Sequence, residues 1–227
     1  MNQDSAHVLK HLAIIPDGNR RWSRNRGVSL ESTYVDGCTK MLDLCKWLLH
    51  SASTVEEISL FFVSAENLRA RKRHELDPLF SAGHHFLDVF YSQAEFSHID
   101  LRWVGLHEND FTVDSDNHAG FVSRIRELGR VNNGTRRANV LFGYDVRRDI
   151  ETAMSSCGEF RYENLSVTRP VDLIIRSGGQ KRLSGFLPLV CQYSEFEFID
   201  KLFPDVDVHD ITACIERFEN STRKFGV

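Results

Sequence analysis

With 227 residues, 41% of them hydrophobic and 26% charged, and a formal net charge of −4, the chain has material for a sizeable globular core. That charge balance points away from a nucleic-acid protein, which grips a phosphate backbone through a basic face. Five cysteines (Cys38, Cys45, Cys157, Cys191, Cys214) without a Cys-x-x-Cys pair argue against a disulfide framework or zinc site, and no run approaches the roughly 18 apolar residues of a membrane span.

The N-terminal stretch lacks an apolar signal core, so the expectation is a soluble cytoplasmic protein with reduced thiols, folded as one domain over residues 1–227. The first apolar run, Leu12-Ala13-Ile14-Ile15, predicts a buried strand. Pro16-Asp17-Gly18-Asn19 then reads as a turn, and Arg20-Arg21-Trp22-Ser23 as the start of a helix. Tyr34, Cys38, Met41, Leu42, Cys45, Leu48 and Leu49 recur at helical spacing, which puts Cys38 and Cys45 on a packing face. A strand is expected at Ile58–Val63. Asp77-Pro78 predicts an N-cap and first-turn proline for a helix reaching about Phe96. Further strands are expected at Leu101–Val104, Ala138–Phe142 and Leu173–Ile175, and Ile211, Cys214, Ile215 and Phe218 mark an amphipathic terminal helix. The ten histidines, His84-His85 among them, show no metal-ligand spacing and are expected on surfaces or helix faces. Alternating strands and helices imply an α/β fold with a mostly parallel central sheet flanked by helices.

Two loops at the ends of predicted strands have the composition to hold phosphate groups, and parallel α/β sheets bind ligands at that edge. In the first, the N–H groups of a helix start point outward with partial positive charge. Gly18 lets the backbone approach a ligand, and Arg20 and Arg21 add cationic forks. Asp17 would repel a bare phosphate and makes better sense as a ligand of Mg2+, which is commonly held by one or two carboxylates plus substrate phosphate oxygens. In the second, the run from Arg176 through Gly178-Gly179 to Arg182 and Ser184 gathers three cations, two hydroxyls and a glycine pair. Either segment alone also serves as an ordinary turn with a solvated basic face, and Trp22 alone reads more readily as a core residue than as a ligand platform. Their pairing implies a reaction between two phosphorylated substrates.

The order of motifs resembles the cis-prenyltransferases, the family containing undecaprenyl diphosphate synthase. The resemblance runs from His11-Leu-Ala-Ile-Ile-Pro-Asp-Gly-Asn-Arg-Arg-Trp22 through Ser64-Ala-Glu66-Asn67 and Tyr144 to Ile150. It closes with Asp172-Leu-Ile-Ile-Arg176-Ser-Gly-Gly, Arg182-Leu-Ser184, Tyr193-Ser-Glu195 and Phe203-Pro-Asp205. It implies a homodimer with a parallel sheet, helices walling a hydrophobic tunnel, and Mg2+-dependent chemistry. Carried over residue by residue, Asp17 is the metal-binding and ionisation carboxylate, and Gly18, Asn19, Arg20 and Arg21 bind an allylic diphosphate, with Trp22 beside them. Ser64 and Asn67 position the acceptor and assist proton removal. Arg176, Arg182 and Ser184 hold the second diphosphate, and Glu195 matches a carboxylate that organises the metal region across the dimer.

The chain departs from the family pattern at several of these places. Leu30 and Tyr34 stand where an arginine and a histidine are usual, so Tyr34 becomes the substrate-contacting candidate there. Leu68-Arg69-Ala70 replaces Trp-x-Arg, which loses a cation or shifts it to Arg69 or Arg71. Gln180-Lys181 replaces Glu-His and removes a possible metal ligand, and Asp145-Val146 replaces a glycine pair. Phe62 stands where long-chain members carry a small residue; together with Phe80, Phe86, Leu87 and Phe90 it either fills volume that a growing prenyl chain needs or simply packs the core. Gly27-Val28-Ser29-Leu30, Tyr34 and Phe186-Leu187-Pro188-Leu189 resemble the lavandulyl and cyclolavandulyl diphosphate synthase branch. That branch implies a short-chain enzyme joining an allylic diphosphate to dimethylallyl diphosphate in an irregular head-to-middle condensation, with a branched, optionally cyclised product. The alternative is a regular condensation with isopentenyl diphosphate, giving neryl or cis-farnesyl diphosphate. A non-catalytic partner subunit would be expected to lack the first cradle, which is intact from Asp17 to Arg21.

Overall fold

All five residues of the first strand, β1 (His11–Ile15), are buried, because it has a parallel neighbour on each side and covering layers on both faces. The computed structural model describes residues 8–50, 53–106, 116–128, 134–155 and 158–221. The other strands are β2 (Glu57–Ser64), β3 (Ile99–Val104), β4 (Arg136–Tyr144), β5 (Leu173–Ser177) and β6 (Glu195–Ile199). They form a six-stranded sheet in the order β3-β4-β2-β1-β5-β6, with every pairing parallel. The expected α/β fold is therefore present, and each strand anticipated from an apolar run is there.

The helices are α1 (Asn19–Arg26), α2 (Leu30–Leu48), α3 (Ala65–Ala70), α4 (Arg73–Ser92), α5 (Asp116–Leu128), α6 (Val146–Ser155) and α7 (Val208–Glu219). Ser29 caps α2 by accepting the Ser32 N–H at 3.1 Å. The anticipated face of α2, from Tyr34 through Cys38 and Cys45 to Leu48, is buried. The start expected at Asp77-Pro78 is not where α4 begins. The helix starts at Arg73, where the Glu75 carboxylate accepts the Lys72 N–H at 3.3 Å, and Pro78 lies inside it. Asp77 is engaged elsewhere, 3.0 Å from Nε2 of the buried His118 on α5. The helix ends at Ser92, and a 3-10 turn carries the chain on to Phe96.

On one face of the sheet, α2, α4, α5 and α7 cover a core rich in rings. Phe80, Phe86, Phe121 and Phe142 are fully buried there, and Phe62 meets Phe86 edge-on at 5.4 Å between centroids. On the other, Phe61 packs on Phe186 at 5.2 Å beside Leu141, Tyr144 and Ala153. His11 departs from the expected surface placement: it is fully buried, with Nε2 2.9 Å from Ser59 Oγ and Nδ1 3.0 Å from the Arg169 carbonyl. Burial holds its imidazole below the usual range. Cys38, Cys45, Cys191 and Cys214 are free and buried, and Cys157 lies outside the described residues. Among the described residues no helix is long and apolar enough to cross a membrane.

The ring layer leaves no slack. A Cβ built on Gly83 of α4 would stand 2.6 Å from Phe121 Cε2. Gly83→Val is expected to destabilise the fold by about 1–3 kcal/mol, the usual cost of overpacking; urea denaturation monitored by circular dichroism measures it.

Candidate active site

Parallel pairing of β1 with β5 sets Ile15 opposite Arg176, so the loops that follow both strands open side by side on one sheet edge. The two anion cradles, distant in sequence, are neighbours. In the first, Gly18 has φ 110°, and a Cβ there would lie 2.7 Å from Leu202 Cδ2. The glycine is thus required by its backbone conformation and by a protein neighbour, Leu202, rather than by room for a ligand. The first bond within α1 runs from the Trp22 N–H to the Gly18 carbonyl at 2.9 Å. The N–H groups of Asn19, Arg20 and Arg21 precede that bond and present the partial positive charge of a helix start. Asn19 spends its amide on the Pro16 carbonyl at 3.0 Å, with Oδ1 against the α2 backbone at Gly37.

The second cradle is locked to the first through Asp17. Arg176, only 4% exposed, donates from Nη2 to Asp17 Oδ2 at 2.8 Å. Its Nη1 donates to Ser184 Oγ at 3.0 Å and to the Arg182 carbonyl. Ser184 adopts a left-handed conformation with φ 54°, a backbone state that non-glycine residues hold only where the surroundings impose it. From the other side, Arg21 Nη2 donates to the Gly178 carbonyl at 2.8 Å and lies 3.4 Å from Asp17 Oδ1. A Cβ on Gly178 would collide with both Arg21 Nη2 and the Asp17 carbonyl, at 2.7 and 2.9 Å, so this close crossing needs glycine. Ser177 gives its hydroxyl to the Asp17 carbonyl at 3.0 Å and is not available to a ligand.

These groups line one cavity of about 900 Å3. Of the residues expected at the site, it brings together Asp17, Gly18, Asn19, Arg20, Arg21, Tyr34, Phe62, Ser64, Asn67, Arg176, Arg182 and Ser184. Ser64 ends β2 and caps α3, its Oγ accepting the Asn67 N–H at 3.1 Å, which fixes the two on adjacent sides of one turn. Tyr34 is buried on α2 and accepts a bond from Arg71 Nη1 at 3.3 Å. Burial pushes its phenol up, against the opposing charges of Arg71 and Arg20. Arg20 pairs with Glu75 at the cavity wall. Burial raises the Glu75 carboxyl, but the Lys72 N–H and the charges of Arg20 and Arg71 outweigh it and hold Glu75 below the usual carboxylate range.

Three expected residues lie outside the cavity. Trp22 turns away, donating Nε1 to Asp205 at 2.8 Å with Arg26 over its ring. Arg69 is exposed and pairs with Asp145 at 3.2 Å. Glu195 begins β6 opposite Leu173, at the amino edge of the sheet, whereas Asp17 follows the carboxyl edge; its carboxylate accepts from Ser221 Oγ at 2.7 Å. Within one chain Glu195 and Asp17 cannot share an ion. Among the described residues no cluster of three or more acidic, histidine or cysteine side chains could cage a metal. A lone Asp17 does fit Mg2+, whose remaining positions are commonly filled by phosphate oxygens and water.

The cation that does reach the cavity from this region is Arg71, whose buried Nε has no hydrogen-bond partner among the described residues. Its signal in the sequence was the displaced arginine after Asn67, with two candidates and nothing local to choose between them. A charge-assisted bond is worth about 1.5–3 kcal/mol. Arg71→Met is therefore expected to weaken inorganic pyrophosphate binding about tenfold or more by calorimetry, and Arg69→Met, removing only a surface pair, by less than about twofold.

Comparison with known proteins agrees with this geometry. A prenyltransferase family model described as undecaprenyl diphosphate synthase matches residues 15–226. An isoprenyl transferase of Campylobacter jejuni (strain RM1221) is 30% identical over 226 residues, covering 96% of this chain and 98% of that protein. A tritrans,polycis-undecaprenyl-diphosphate synthase (geranylgeranyl-diphosphate specific) of Pyrobaculum aerophilum is 28% identical, covering 98% of each chain. Among solved structures, lavandulyl diphosphate synthase from Lavandula x intermedia, in complex with dimethylallyl diphosphate, superposes with a TM-score of 0.77 at 25% identity, covering 96% of this chain and 98% of that one.

Proposed function

Because the chain belongs to the cis-prenyltransferase family of undecaprenyl diphosphate synthase, and is thus a prenyltransferase, we propose that it joins a short allylic diphosphate to dimethylallyl diphosphate by irregular head-to-middle condensation, giving a branched lavandulyl-type diphosphate. The observation that carries this reading is the pair of cradles cross-linked at Asp17 beside a cavity whose apolar lining includes Phe62, packed on Phe86. The likeness to a lavandulyl diphosphate synthase supports it, as do Leu30 and Tyr34 in place of the family's arginine and histidine.

In this reading the N–H groups at the start of α1, with Arg20, Arg21 and Arg71, bind the allylic diphosphate. Arg176, Arg182 and Ser184 hold the second diphosphate. The allylic C–O bond breaks, leaving an allylic cation and diphosphate, whose growing charge meets donors already aimed at it. Asp17 would hold Mg2+, which when bound would supply further stabilisation of that leaving charge. The alkene of the second substrate attacks the cation, and a proton departs to diphosphate or to a water held by Ser64 and Asn67. Holding both reactants in one cavity supplies much of the acceleration, and Phe61, Phe62 and Val63 keep water from the cation. A homodimer completes the proposal: Phe196, 41% exposed, stacks with Phe198 on edge strand β6 beside Tyr193, 62% exposed, and only a second copy could bring Glu195 toward Asp17.

A second reading, regular condensation with isopentenyl diphosphate, is favoured by the undecaprenyl diphosphate synthases among the relatives. Product analysis separates the two. A branched C10 diphosphate from dimethylallyl diphosphate alone is expected; a linear product formed only when isopentenyl diphosphate is added would establish the second reading instead. Asp17→Asn keeps an oxygen to accept from Arg176 but removes the charge that pairs with it, so it is expected to lower the melting temperature and, in protein still folded by circular dichroism, to lose turnover by about 10²–10³-fold, as for loss of one transition-state group. Phe62→Ala, which opens the cavity toward Phe86 and Trp103, is expected to lengthen the longest product seen by mass spectrometry with C10 and C15 donors.

A further inference from the structure

We infer that Lys40 is a positioning residue for both diphosphate cradles, acting through the loop of residues 201–206; the inference rests on the function proposed above. Lys40 stands on α2 and does not line the cavity. Its half-buried ammonium donates to the carbonyls of Phe203 at 3.3 Å, Pro204 at 2.6 Å and Val206, and it lies 5.7 Å from the centre of the Phe203 ring. Three converging carbonyls form a site for a cation, here filled by the protein's own tethered one. An ammonium has three donors to match them, which no neutral side chain offers.

The loop that Lys40 grips is the common backing of the two cradles. The Phe203 N–H donates to the Asp17 carbonyl at 3.0 Å, and the Gly178 N–H donates to the Lys201 carbonyl at 2.8 Å. Leu202 fills the space beside Gly18, and Asp205 holds the Trp22 indole and so the first helix. Both head-group sites are therefore referenced to one strip of backbone, and Lys40 ties that strip to a long helix buried against the core. Displacing the strip shifts Asp17 and Gly178 together. Condensation needs the reacting carbons within about 3–3.5 Å, and a displacement near 1 Å costs on the order of 10²-fold.

The test compares Lys40→Met and Lys40→Arg with the wild-type protein by melting temperature, by kcat and KM for each substrate, and by calorimetric titration with inorganic pyrophosphate. For Lys40→Met the expected result is a folded protein with kcat lowered about 10- to 100-fold and both KM values raised together. Lys40→Arg, which keeps charge and donors, is expected to recover most of the loss. Unchanged constants, a change confined to one substrate, or a lowered melting temperature with native kinetics would each overturn the inference. Should Lys40→Met fail to fold, Lys40→Gln, which keeps a neutral amide donor, is expected to raise both KM values by an intermediate amount; native values would overturn the inference equally. Absence of prenyl transfer by the wild-type protein would instead sink the proposed function, and pyrophosphate titration of the same variants would then decide the role of Lys40 alone.

Discussion

The arrangement depends on one ion pair, Arg176 to Asp17, made between loops 159 residues apart. A guanidinium buried as deeply as that of Arg176 is tolerable only when paired, because stripping a buried charge of its partner costs about 3–5 kcal/mol. Satisfying it pulls the β1 and β5 loops into contact. That contact then demands a glycine at 178, aligns Arg21 with the Gly178 carbonyl, and leaves Ser184 in a strained conformation facing Arg176. The parallel register of β1 and β5 brings the loops to the same edge, and the ion pair sets how far apart they stand.

The pair also shapes the electrostatics. Six arginines line the cavity (Arg20, Arg21, Arg24, Arg71, Arg176, Arg182) against three carboxylates (Asp17, Glu66, Glu75), on a chain whose formal net charge is −4. The positive surplus is local, and it faces a concavity where low-dielectric walls focus the field and draw in anions. Two of the three carboxylates are already partnered, Asp17 with Arg176 and Arg21, and Glu75 with Arg20. Each such carboxylate holds an arginine in place until a stronger anion arrives. A pocket organised in this way favours multiply charged ligands over single carboxylates, which a diphosphate satisfies.

The strands were legible in the sequence because β1, β2, β4 and β5 are covered on both faces and so carry unbroken apolar runs. Edge strand β3 still showed through Leu101, Trp103 and Val104, but β6, the other edge, did not, since Glu195-Phe196-Glu197-Phe198 interleaves charge with its rings and offers no apolar run. At Asp77-Pro78 a sound local capping signal lost to tertiary structure: Asp77 lies against His118, and the helix is capped five residues earlier, at Lys72, whose N–H the Glu75 carboxylate accepts. The two cradles were readable because their chemistry is compressed into short segments. What could not be read was direction. Trp22 and Arg69 belong to the right segments yet point outward to Asp205 and Asp145, and Glu195 sits on the wrong edge for its own chain. Sequence places a residue on an element, while its face depends on what packs against that element.

The clearest case of direction set by packing is strand β2. Its pairing with β4 runs regularly to Phe61 opposite Leu141, then shifts twice: Phe62 is passed over so that Val63 faces Phe142, and Gly143 of β4 is passed over so that Ser64 faces Tyr144. Phe62 is the extra residue of a bulge. In a regular strand Phe61 and Val63 would share one face; here Phe61 packs with Phe186 on one side, while Phe62 and Val63 both join the ring-rich core on the other. Bulges near active sites commonly re-aim a side chain, and two irregularities follow one another here. The first sets Phe62 against Phe86 and Trp103 on the cavity wall, and just past the second Ser64 ends the strand and caps α3 beside Asn67. Since Phe62 lies outside the ladder register, its size can vary with little cost to strand pairing. The depth of the apolar pocket is thereby uncoupled from the stability of the sheet, which lets one fold hold cavities for short or long prenyl chains without rebuilding the head-group site.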